Sequence, residues 1–196
     1  MTLPRRLTRN DVLPAARYAQ ERAEHRRRIS ELKRHRRVEV GPFCTFYFEN
    51  FATMWLQVHE MLHIERGGEA QIADELAAYN PLIPQGDELV ATVMFEIDDP
   101  RQRDKALTRL GGVEHHMFLS VAGERIAGIA DATRENTSAE GKASAVQFLR
   151  FPLTLPQRAA FRQAGTAVLV GIDHENYGHM AVMPEATRAA LAEDLA

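Results

Sequence analysis

Cysteine is nearly missing from this chain of 196 residues, with Cys44 the only one. A disulfide within the chain is therefore excluded, as is any iron–sulfur or zinc centre built mainly from this chain's own thiolates. Long apolar runs are missing too: nothing approaches the roughly 20 apolar residues that a membrane-spanning helix needs. The opening stretch, Met1 to Val12, holds no hydrophobic segment of the kind that signals export. We expect an unexported chain that spans no membrane and works in a reducing cytoplasm, with Cys44 buried as a small hydrophobe. Phosphate-cradling glycine patterns are also absent, since Gly67-Gly68 and Gly111-Gly112 stand where helices stop. Ser144 has no G-x-S-x-G turn around it, which removes it as a hydrolase nucleophile.

What is present suits one globular unit, for 45% of the residues are hydrophobic. The net charge of −3 hides an uneven distribution. Residues 1 to 40 carry twelve Lys and Arg against five acids, +7, which leaves −10 for the remainder. Such a division points to a basic arm lying on an acidic body, or to a surface for an anionic partner.

Along the chain, the sequence predicts a long, polar, basic N-terminal helix within residues 1–37, opened by Asn10 or Asp11 with Pro14 in its first turn. Its apolar stripe is thin: Tyr18, Ile29 and Leu32. The body, 38–196, reads as α+β, a single domain with a largely antiparallel sheet of about five or six strands and flanking helices. Strands or hairpins are expected over 38–50, 88–97, 116–121, 125–130, 143–151 and 167–173. Helices are expected over 51–66, 69–79, 100–110, 156–164 and 184–195, and 131–142 reads as a mobile polar loop.

The pentad His59-Glu60-Met61-Leu62-His63 has the spacing of a zinc hydrolase. On a helix, residues four apart stand one turn above each other, so two imidazoles could hold a metal whose bound water Glu60 polarises. Zinc needs a third ligand, for which Glu69 or His174 is the available choice, yet neither established spacing for a third ligand is met. By helical angle His59 falls at the border of the apolar stripe, His63 further out and Glu60 nearly opposite. A second cluster, Gly171 to His179, ends a strand and places Asp173 beside His174, where a carboxylate can orient an imidazole. Nucleic acid is a weaker reading of the basic helix, because its arginines surround it and alternate with Glu21, Glu24 and Glu31.

Phe48-Glu49-Asn50, Glu60-Met61-Leu62, Ala78-Tyr79-Asn80-Pro81-Leu82-Ile83-Pro84, Ser144-Ala145-Val146-Gln147-Phe148-Leu149-Arg150-Phe151 and Gly171-Ile172-Asp173-His174 occur in this order. Together they resemble the bacterial family known as domain of unknown function 3501, over nearly the whole chain. The resemblance implies a small cytoplasmic protein, often encoded beside rubrerythrin-type and iron–sulfur oxidoreductase proteins. It also implies that residues other than histidine commonly stand at the places of His59 and His63. The expectation is a non-hydrolytic accessory or binding protein in a cytoplasmic redox or peroxide-defence system. Its partner would be a redox protein, and its ligand patch Glu49, Glu60, Asp173 and His174 with Arg150 near by. The alternatives are a zinc-dependent hydrolase using His59 and His63 with Glu69 or His174, and a nucleic-acid binder using the basic helix. The sequence specifies no cofactor beyond the divalent metal that such a patch could hold.

Overall fold

The structure is a computed structural model that describes residues 4–196. Glu88–Phe95 (β3) carries apolar residues on both faces: Leu89, Ala91, Val93 and Phe95 enter one hydrophobic cluster and Val90 another. A strand of that kind must be covered twice, and the molecule is layered accordingly. β3 is the middle of a five-stranded antiparallel sheet in the order β1-β2-β3-β7-β6, made by Arg37–Val40 (β1), Cys44–Phe48 (β2), Ile129–Ala130 (β6) and Val146–Pro152 (β7). A second antiparallel sheet, β5-β4-β8-β9, comprises Met117–Val121 (β4), Glu124–Ala127 (β5), Val168–His174 (β8) and Tyr177–Val182 (β9). One core joins the inner faces of both, with Phe46, Leu89 and Phe151 from the first sheet and Leu119, Val170 and Ile172 from the second. Cys44 is buried in the same core.

The other face of the five-stranded sheet lies under helices. Ala15–Lys33 (α1), Phe51–Glu65 (α2) and Glu69–Tyr79 (α3) form this layer, and Met54, Val58 and Ile72 pack with Val90 and Phe148 of the sheet. Pro100–Thr108 (α4), Leu155–Arg162 (α5) and Glu185–Ala192 (α6) are the other α-helices among the described residues, and Leu107, Phe161 and Leu191 join the sandwich core. The family-bearing segments work as fasteners. Asn80 receives the Leu7 amide at 2.7 Å and returns a bond to the Leu7 carbonyl at 3.0 Å, strapping the N-terminal segment to α3.

The α+β class and the single domain stand as the sequence indicates, but one sheet of five or six strands is corrected to nine strands in two sheets among the described residues. Residues 125–130, expected as one strand, divide at Gly128: β5 pairs with β4 in one sheet and β6 with β7 in the other. A Cβ on Gly128 would lie 2.7 Å from Leu149 and 3.0 Å from the Met117 carbonyl, so the chain can turn from sheet to sheet here only without a side chain. The stretch Asp173 to His179, expected as a strand-end loop, is a tight hairpin with His174 opposite Tyr177 and β9 as its second arm. The N-terminal helix occupies Ala15–Lys33; residues 4–14 run ahead of it with a 3-10 turn at Arg9–Asp11. The segment 131–142 is fastened at Thr137, which receives the Gly112 amide and donates to Glu114, both at 2.9 Å.

Candidate functional site

The pentad is on α2, which starts firmly because the Asn50 side chain accepts the Thr53 amide at 3.0 Å while Thr53 Oγ1 accepts the Asn50 amide at 2.9 Å. The part of the flank that carries His59 does not face solvent, because α1 and the segment before it cover it, whereas His63 is half-buried. His59 is buried; its Nδ1 lies 2.7 Å from the Trp55 carbonyl, and its Nε2 accepts the Leu13 amide at 3.0 Å. This sets the tautomer with the proton on Nδ1, and burial holds the ring's pKa below its ordinary value. Glu60 takes a bidentate grip from Arg22, both contacts 2.8 Å, and the Tyr18 hydroxyl at 2.6 Å. The Arg22 guanidinium lowers the Glu60 carboxyl to about 2, while burial and the bond to Glu60 push Tyr18 up. Two of the pentad's three metal-directed groups, His59 and Glu60, are thus committed to protein partners, and His63 is not.

The remaining candidate ligands are dispersed. Glu69 is paired with Arg9, 2.8 Å from its outer guanidinium nitrogen, and His174 belongs to β8 in the other sheet. Among the described residues, no group of three or more His, Cys, Asp or Glu side chains is gathered around a point where an ion could sit. The patch of Glu49, Glu60, Arg150, Asp173 and His174 is likewise not brought together. Glu49 is buried at the end of β2 with the Thr92 hydroxyl at 2.7 Å, and a helix rise of 1.5 Å per residue separates it from Glu60 by about 15 Å. Arg150 is engaged with Glu88 at 2.7 Å and with the Pro81 carbonyl. Asp173 accepts from Arg125 at 2.7 Å and lies 3.2 Å from His116 Nδ1; burial pushes its carboxyl up, but these two partners outweigh that and hold it low. His174 is buried, with Nδ1 accepting the Asn176 amide at 3.2 Å and Nε2 3.3 Å from the Gly111 carbonyl.

A cavity of about 370 Å³ opens beside the pentad where α1, the end of α2 and the start of α3 meet. Val12, Leu13, Pro14, Leu62 and Ile72 supply apolar walls, and Tyr18 and His59 close its floor with their rings 4.8 Å apart. The cavity's polar groups divide into two sets. Arg9 with Glu69, and His59 and Tyr18 with their partners, are satisfied internally. His63, whose ring stands edge-on to Tyr18 at 6.0 Å, and Arg66 also line the cavity, and neither is held by a protein partner among the described residues. Arg66 caps the end of α2 in the left-handed conformation, φ 57°, with its amide bonded to the Leu62 carbonyl at 3.2 Å. Left-handed residues at helix ends are usually glycine. In the sequence Tyr18 stands out only as part of the apolar stripe of the N-terminal helix, and the one signal for Arg66 is an arginine at a helix stop where Gly67 and Gly68 follow at once.

The model of a family described as a protein of unknown function (DUF3501) matches residues 6–195. The chain belongs to this family. A crystal structure of a novel protein of unknown function from Burkholderia pseudomallei K96243, at 1.90 Å resolution, superposes with a TM-score of 0.90. The two sequences are 39% identical over 97% of this chain and 99% of that one. No curated protein matches the chain. Membership is carried by the whole length, so the strap made by Asn80 and the anchorage of Arg150 on Glu88 lie inside the matched region.

Proposed function

We propose that this chain is a non-hydrolytic binding protein whose ligand site is the cavity between α1, α2 and α3, serving as an accessory to a redox protein. One observation carries the binding part. His59 spends both ring nitrogens and Glu60 both carboxylate oxygens on the protein itself, while the adjoining cavity keeps an uncommitted imidazole and guanidinium. A hydrolytic centre needs the reverse arrangement, with open ligand lone pairs and a free base. A concave, largely apolar site with few convergent polar groups is the usual form of a small-molecule pocket. The partner class, a rubrerythrin-type or iron–sulfur oxidoreductase in a cytoplasmic peroxide-defence system, rests on the family resemblance.

Elemental analysis of the purified protein tests the non-hydrolytic part, with substoichiometric zinc expected. Zinc at one atom per chain, lost in His63→Ala, would overturn it. Affinity capture of the tagged chain from its native host tests the partner. Enrichment of a redox protein is expected; its absence, together with unchanged peroxide tolerance in a deletion strain, would sink that assignment.

A further inference from the structure

We infer that the cavity at the α1–α2–α3 junction takes a small organic monoanion, an apolar body with one carboxylate, and that Arg66 is its counter-ion. This deepens the binding reading above and rests on it. At about 370 Å³ the space is at the lower end of the roughly 300–1,000 Å³ usual for ligand pockets, so the ligand is small. Its walls of Val12, Leu13, Leu62 and Ile72 reward an apolar body and give the hydroxyls of a sugar no hydrogen-bond partner.

Charge selects the rest. Arg9 and Glu69 cancel in a two-bond pair, so the net charge of the lining comes from Arg66. A single carboxylate matches one guanidinium in the fork geometry that arginine favours, whereas a dianion would meet the Glu69 carboxylate. His63, three residues before Arg66 on the last turn of α2, adds an imidazole that can donate to the same anion. The conformation of Arg66 makes this separable from folding. A left-handed residue costs backbone energy that glycine does not incur, so replacing Arg66 by Gly removes the cation while suiting the helix end.

The test is calorimetric titration of the full-length protein with octanoate, 1-octanol and octylamine, using wild type, Arg66→Gly, Arg66→Lys and Leu62→Trp. Octanoate is expected to bind wild type at least tenfold more tightly than either isostere. Arg66→Gly should lose at least tenfold in octanoate affinity with a melting temperature equal to or above wild type, Arg66→Lys should recover part of it, and Leu62→Trp, which fills the cavity, should abolish binding. Equal binding of all three probes with Arg66→Gly unaffected would overturn the monoanion assignment and leave the cavity a general apolar site. Absence of binding by every probe would remove both the assignment and the cavity as ligand site.

Discussion

The Glu60 carboxylate receives the Tyr18 hydroxyl and two guanidinium nitrogens of Arg22, and its pKa falls from 4.5 to about 2. The folded value lies below the unfolded one, so the stabilisation is complete above about pH 4.5 and disappears as the pH falls toward 2. With Arg22 about a third exposed, solvent screening reduces the contribution to about 1–2 kcal/mol. Glu60→Gln should therefore be less stable than wild type by that amount in denaturant unfolding at pH 7, with the gap closing at pH 2–3; a gap independent of pH would contradict the ion pair. His59 acts in the same sense but at higher pH. Buried and neutral, it holds a pKa below that of the unfolded chain, so the fold loses stability as the pH drops through about 6.5 and the unfolded state takes up a proton. A stability profile from pH 8 to 5 should show this decline in wild type and lack it in His59→Gln, whose amide can both donate and accept.

At the scale of elements, two short pieces of chain settle much of the arrangement. The reciprocal Asn50 and Thr53 bonds start α2 where the five-stranded sheet ends, which aims the pentad at α1. Asn50→Ala should cost about 1 kcal/mol, measured as a denaturation midpoint shift without change in slope. Gly128 is the point at which one continuous run of residues leaves one sheet for the other. A methyl group there meets Leu149, Phe151 and the Met117 carbonyl, and of these the carbonyl is backbone. Gly128→Ala should destabilise by about 1–3 kcal/mol; no loss would mean that the crossing is looser than the contacts imply. The helices were largely legible before the fold because α2 and α3 obey a period of 3.6 with stop signals at Gly67-Gly68 and Asn80-Pro81. The crossing was not, because alternation looks the same whichever sheet receives the strand. The second arm of the β8–β9 hairpin was hidden for a related reason: as an edge strand with Met180 and Val182 exposed, it lacks the burial pattern that marks a strand.

For the whole molecule, the buried pair of Arg36 and Asp194 ties the turn after α1 to the segment after α6. Arg36 also donates to the Phe48 and Glu49 carbonyls, both at 3.0 Å, so one guanidinium joins the helical layer, the sheet and the far end of the described chain. Burial raises the Asp194 carboxyl, opposed by Arg36. Asp194→Ala should destabilise by about 3–5 kcal/mol because it strands a buried guanidinium, whereas Arg36→Met with Asp194→Leu should cost much less. Equal losses in the single and double variants would show that packing, not charge, dominates. The candidate site divides along the same line. Its apolar residues were visible as the stripe of α2, but the commitment of His59 and Glu60 depends on Leu13, Tyr18 and Arg22, which lie 46, 42 and 38 residues away. Composition and periodicity, acting over a few residues, determined the α+β class, the helices and, with Cys44 the one cysteine of these 196 residues, the exclusion of a disulfide among them. Only the tertiary structure decided that His59 and Glu60 are spent on internal bonds while His63 and Arg66 line a cavity without protein partners among the described residues, because a side chain's hydrogen-bond partners are set by which distant segments pack against it.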